Sequence, residues 1–227
     1  MKRSQINQAI DEAIIFFRKM HFVLPPFAYF TPSQWKEKGS QYDEIKDTRL
    51  GWDVSDCGTD DFKNIGRTIF TLRNGLIGSD RYTKTYAEKV MFLQEGQRFP
   101  VHYHKSKKED IINHRGGIIC VKVWQKGEDN SLSPDAFFLS VDGKKVKVTG
   151  GDIVELREGE SIYLSPETYH QFWAKEDCGP VLSGEISSVN DDYKDNIWLE
   201  EVVRFPEIDE DEPRKYVLCS DYDKILS

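Results

Sequence analysis

Apolar residues near the start of the chain recur at helical spacing. Ile6, Ala9, Ile10, Ala13, Ile14 and Phe17 fall on one face, and Ser4 stands where a cap belongs, so the pattern predicts a first helix. "LPPF" at 24–27 ends it, because two prolines cannot continue a helix. "TPSQWKEKG" predicts a short second helix opening near Ser33 and closed by Gly39. "GWDVSDCGTDDFKNIG" at 51–66 reads as turn-rich. From residue 67 the period changes. "RTIFTLRNG", "YAEKVMFLQEG", "GIICVKVWQKG", "FFLSVDGKKVKVTGGD", "IVELREGESIYLSP", "TYHQFWA" and "VLSGEISSV" are short, rich in Val, Ile, Tyr and Phe, and punctuated by glycine turns. The first ends in Asn74-Gly75, a hairpin signal. Strands at this spacing, with no long helical pattern from 67 to 190, predict a sandwich or barrel. "IDEDEP" in the tail reads as a solvated surface loop. The expected organisation is one mainly β domain over 1–227, with a helical extension at 1–50, a barrel over about 67–205 and an acidic tail at 206–227.

Composition narrows the possible partners. A net charge of -8 leaves no basic surplus to neutralise phosphates, which argues against nucleic acid. No apolar run is long enough to span a membrane, and the basic start "MKRSQINQAIDEAIIFF" lacks an apolar core followed by a small-residue cleavage site. Cys57, Cys120, Cys178 and Cys219 are far apart without a C-x-x-C pair, so a structural zinc finger is not expected. A soluble, cytoplasmic protein is the expectation.

Three of the five histidines fall within "EGQRFPVHYHKSKKEDIINHRGG", residues 95–117. On a strand, His102 and His104 project to one face and Tyr103 to the other. Glu109 follows five residues later, near enough to return from a turn or the next strand. Neutral imidazoles with a carboxylate suit Mn, Fe, Co, Ni or Zn, whereas the plain alternative is a pair of half-exposed strand histidines. Gly96 and Gly116 complete the pattern G-x5-H-x-H-x4-E-x6-G, which resembles the first motif of the cupin family. "GESIYLSPETYHQFWA" resembles the second, with Gly159 and His170 at the family's spacing. It departs from that motif in three places: Pro166 is one place late, Glu167 stands where the family has glycine, and Ala174 replaces the usual Asn. The resemblance implies one divalent metal held by His102, His104, Glu109 and His170. It also implies a cupin fold, a double-stranded β-helix or jelly-roll-like barrel, with the metal in its mouth. His21 reads as surface or packing, and His114, in a turn, is left open as a contact to ligand.

Longer stretches narrow the family. "GWDVSDCGTDDF", "IFTLRNG", "YAEK", "EGQ..P.H.H.SK.EDIIN", "GEISSVNDDYKDN" and "FPEIDEDEP" together resemble the D-lyxose isomerase family of metal-dependent cupins, over about residues 51–213. The resemblance implies interconversion of D-lyxose with D-xylulose, and of D-mannose with D-fructose, with Mn as the preferred ion and a monosaccharide as the partner. Such an isomerase needs a base that moves a proton between C1 and C2 through a cis-enediol. Glu185 is one candidate, since Ser183 and Ser187 share its strand face; the alternative is an exposed strand carboxylate. Lys107 is held near the site by its place between two ligands, or is an exposed loop lysine. Lys89, Tyr86, Asp192 and Arg204 are candidates for holding sugar hydroxyls. The rival functions are an Fe(II)-dependent dioxygenase and a non-catalytic sugar-binding cupin. Exposed barrel edges make a homodimer the expected assembly.

Overall fold

Helix α1 (Arg3–Lys19) buries the predicted apolar face, but neither of its ends is made as the sequence suggests. In this computed structural model, which describes residues 1–226, Ser4 lies inside the first turn. Its N–H and hydroxyl donate to Asp211, at 2.9 and 2.7 Å. Glu210 accepts from Arg3 at 2.8 Å, and Glu212 from Asn7 at 2.6 Å. The "IDEDEP" segment is the exposed surface loop expected, but its carboxylates are tied to the start of α1. Free N–H groups and the positive end of the helix dipole draw these carboxylates onto the helix start. At the other end the helix stops before the prolines. His21 takes a left-handed φ of 58° and stays exposed, and its N–H donates to the carbonyl of Arg18. Helix α2 (Pro32–Lys36) opens one residue before Ser33, capped by Thr31, and stops short of Gly39. A third short helix, α3 (Asp43–Asp47), leads into the sheets.

The strands follow in chain order: β1 (Gly51–Ser55), β2 (Arg67–Arg73), β3 (Tyr86–Leu93), β4 (His102–His104), β5 (Glu109–Gly116), β6 (Ile119–Lys126), β7 (Leu132–Ser133), β8 (Ala136–Val141), β9 (Lys144–Thr149), β10 (Ile153–Leu156), β11 (Ser161–Leu164), β12 (Thr168–Ala174), β13 (Val181–Ser188) and β14 (Asn196–Trp198). The segment 51–66 is less turn-rich than expected. β1 is buried along its whole length, because Trp52 and Val54 pack under α1. One antiparallel sheet runs β1-β2-β3-β13-β5-β11-β8-β9, the other β10-β6-β12-β4-β14, with β7 paired to β6. The two sheets face each other as a curled, cupin-type barrel. Between them lie Met91, Leu93, Ile111, Val121, Val123, Phe172 and Val181. Helix α1 covers the outer face of the larger sheet, where Phe16 stacks on Phe92 at 4.7 Å. The tail returns to this outer layer through buried Tyr216, Leu218 and Tyr222, the last opening helix α4 (Tyr222–Leu226). No helix among the described residues is long and apolar enough to cross a membrane.

Asn74-Gly75 does not make the tight hairpin. β2 and β3 are antiparallel neighbours, but the chain takes residues 74–85 to return. The Asn74 amide instead donates to the carbonyls of Thr48 and Asn190, at 3.2 and 3.1 Å. Gly75 passes so close to Lys84 that a Cβ would stand 1.8 Å from its carbonyl oxygen. This dipeptide ties three loops together at the open end of the barrel.

Candidate metal centre and active site

Strand alternation decides which side chains meet between the sheets. In the smaller sheet β12 lies beside β4 with His170 opposite His102, so three imidazoles converge from one wall. Their ligand nitrogens lie within 4.8 Å of one another. The larger sheet supplies Glu109 at the start of β5. Its Oε1 is 3.1 Å from His170 Nε2 and 3.3 Å from His104 Nε2. All four side chains are buried. His102 Nδ1 bonds the Pro100 carbonyl at 2.8 Å and His170 Nδ1 that of Thr168 at 3.0 Å, which turns both Nε2 atoms to the centre. The Asp195 carboxylate stands 3.6 Å from His104 Nδ1. It accepts from the Ser106 and Lys107 N–H groups at 2.9 and 3.1 Å and so fixes the loop beside the ligand, while His104 Nδ1 itself makes no hydrogen bond among the described residues.

These residues fit a metal. His104 Nε2 and Glu109 Oε1 are buried and make no hydrogen bond among the described residues. An unpaired buried polar atom costs about 1–3 kcal/mol. Three nitrogens and one carboxylate oxygen form a donor set that divalent ions of the Mn–Zn series accept. Burial pushes both His102 and His104 below the ordinary imidazole range, helped by His170 and His104 around the first and by Lys107 beside the second. Both are therefore neutral, the form that ligates.

A charged cluster adjoins this centre. Lys107 Nζ reaches Glu109 Oε2 at 2.8 Å and Glu185 Oε1 at 2.9 Å. The register of β13 on β3 sets Glu185 directly beside Lys89, whose Nζ lies 3.2 Å from the same Oε1 and 2.7 Å from Asn190 Oδ1. Burial alone would raise the Glu185 carboxyl, but Lys107 and Lys89 hold it below the usual range. Burial likewise works against the Lys107 ammonium, and Glu109 and Glu185 more than offset it, so its value is raised. Glu185 is thus a carboxylate between two ammonium groups. Both lysines use Oε1, and Oε2 has no hydrogen bond among the described residues.

Of the residues singled out in the sequence, Glu185, Lys107, Lys89, Asp192 and Arg204 line one cavity with the histidines and Glu109. Tyr86 does not join them. It lies three residues from Lys89, hence on the opposite face of β3, and is 45% exposed. His114 also faces outward, exposed over Gly184 on β5 rather than in a turn. Asp192 accepts from Asn190 at 2.9 Å; burial opposes its charge, but Lys89 and Arg204 keep it ionised. Arg204 is paired with Asp53 and lies over the Phe205 ring at 4.4 Å. Sequence reasoning missed Arg67, Asp53, Phe99 and Asp195, none of which belongs to a spacing pattern. Arg67 opens β2, lies 4.2 Å over the Phe172 ring and donates to the Phe172 carbonyl at 3.0 Å. Burial lowers it to about 9. A wider cavity of about 590 Å³ adjoins the site and shares Asp192 as wall.

The family model described as D-lyxose isomerase matches residues 1–222. A D-lyxose/D-mannose isomerase of Serratia proteamaculans is 42% identical over 228 residues, covering all of both chains. A D-lyxose/D-mannose isomerase of Escherichia coli O157:H7 is 44% identical over 98% of each. Among solved structures, the L-ribose isomerase of Cellulomonas parahominis with L-psicose superposes with a TM-score of 0.59 at 14% identity, over 89% of this chain and 94% of that one. That likeness is one of fold.

Proposed function

The chain belongs to the D-lyxose isomerase family of aldose–ketose isomerases, and from that premise we propose that it interconverts D-lyxose with D-xylulose and D-mannose with D-fructose. The observation that carries the reading is the Glu185 carboxylate, held between Lys107 and Lys89 beside the three-histidine, one-glutamate cluster. His102, His104, His170 and Glu109 would hold one divalent ion, Mn in this proposal. Such an ion supplies Lewis acidity, polarising the sugar carbonyl and offsetting charge on the enediolate oxygens.

The remaining chemistry belongs to the chain. Glu185 Oε2 takes the proton from C2 of the open-chain aldose. The C–H electron pair forms the C1–C2 double bond while the Lys107 ammonium protonates O1, giving a cis-enediol. The O2–H proton then returns to Lys107 as the O2 carbonyl forms, and Glu185 delivers its proton to C1. Each group ends as it began, so the cycle needs no redox partner. A base ionised at neutral pH and an acid held protonated next to it are the pairing this transfer requires. Burial of the whole cluster keeps bulk water from the enediol.

The test is ketose formation from D-lyxose and from D-mannose by EDTA-stripped protein, before and after Mn is added. Turnover that returns with Mn is the expected result. A folded, Mn-loaded protein that makes no ketose from either sugar would reject the reading.

A further inference from the structure

Arg67 differs from every other cation lining the site cavity. Lys89, Lys107 and Arg204 each lie within ion-pair distance of a carboxylate, whereas Arg67 has none within 4.0 Å among the described residues. Its side chain is 2% exposed. Nη2 is used on the Phe172 carbonyl, but Nη1 is buried and has no hydrogen-bond partner among the described residues. Arg204, also near Phe99, leaves its Nε buried and without a hydrogen bond among the described residues. The two guanidinium carbons lie 5.3 and 5.5 Å from the Phe99 ring centroid. Packing against Phe172 explains the stem and stacking of Arg67, which a methionine would also supply. It does not explain a buried, unpaired donor, which is costly without an acceptor.

We infer that Arg67 Nη1 is a substrate donor to the terminal hydroxyl oxygen of the sugar, assisted by Arg204 Nε beside the same Phe99 ring. The inference rests on the isomerase reading above. Arg67 makes no hydrogen bond or ion pair with Glu185 or Lys107 among the described residues, so the donor is not taken up by the groups assigned to C1 and C2 and is left for a hydroxyl further along the sugar. An anionic end group suits this wall poorly, since Asp53 already neutralises Arg204 and Asp192 lines the same cavity. A neutral hydroxyl can accept without bringing charge. Arg67 is therefore a positioning residue for the far end of the sugar and a determinant of its terminal group.

The experiment compares D-lyxose with 5-deoxy-D-lyxose on the Mn-loaded protein. The native enzyme is expected to prefer D-lyxose by about tenfold or more in kcat/KM, as a site built to bond a hydroxyl does. Arg67→Met should lose about tenfold or more on D-lyxose, chiefly in KM, and treat the two sugars alike, a loss typical of a missing bond to a charged donor. Arg67→Lys keeps the buried charge and serves where Arg67→Met does not fold; it should lose the same preference. D-lyxose should also raise the melting temperature of the native protein more than that of either variant. Equal use of both sugars by the native enzyme, or a retained preference in the variants, would overturn the assignment while leaving the isomerase reading intact. A native protein that turns over no sugar at all would instead overturn both.

Discussion

Lys89 and Leu93 stand four residues apart on one face of β3 and end in opposite surroundings. Lys89 meets Glu185 and Asn190 in the site, whereas Leu93 lies among Val181 and other aliphatic side chains. The same change runs along the neighbouring strands. β13 carries Val181 at one end and Glu185 further on, and β12 passes from His170 to Phe172 and Ala174. One interior is thus divided along its axis. The apolar end is held by packing that exchanges with almost nothing. The polar end is charged, largely buried and held mainly by pairing of its charged groups, which burial makes expensive to break. A site with its own paired charges needs a rigid, uncharged floor, and the same strands supply both.

The largest expected effect comes from breaking the polar end. Glu185→Gln keeps the shape of the side chain but removes the base, and kcat should fall by about 10²–10⁴. Unchanged Mn affinity, read by titration, would separate this loss from damage to the centre. An activity within a few fold of native would remove Glu185 from the chemistry and weaken the contrast between the two ends. Leu93→Ala tests the floor. It should cost about 2–5 kcal/mol in denaturant unfolding, while the kcat of the remaining folded protein stays near native. A large kcat loss without a stability loss would mean that the two ends are not separable.

The smallest effect lies outside the barrel and serves as a control. Hydrogen bonds from Arg3 lower the Glu210 carboxyl to about 2. The unfolded value is about 4.3. Stability from this pair is therefore complete above the unfolded value and is lost as pH falls toward the folded one. The melting-temperature gap between native protein and Glu210→Gln should be small and constant above about pH 5, then close as the pH drops toward 2. A gap that widens in acid would contradict the pairing of the tail with α1, and kcat should not respond at all.

Much of this was legible in the chain. Alternating apolar residues with glycine turns announced the sheets, and the spacing of His102, His104 and Glu109 announced a ligand group. Alternation could have gone further. Tyr86 and Lys89 are separated by an odd number of positions, so they could not both face the cavity. Local pattern also misled where a tertiary contact competed for the same residue. Asn74 gave up its turn for Thr48 and Asn190, Ser4 gave up its cap for Asp211, and "IDEDEP", though exposed, is anchored on the start of α1.

What the sequence determined alone was the periodicity of the elements and the identity of the groups that share a strand face, because both follow from backbone geometry over a few residues. The tertiary structure decided which faces meet. His170 reaches His102 only through the pairing of β12 with β4, and Glu185 reaches Lys89 only through the register of β13 on β3. Arg67 and Asp195 lie far along the chain from the groups they serve, and no spacing rule connects them. Their burial beside the centre, and the donor that Arg67 leaves unpaired, exist only after the two sheets have closed on each other.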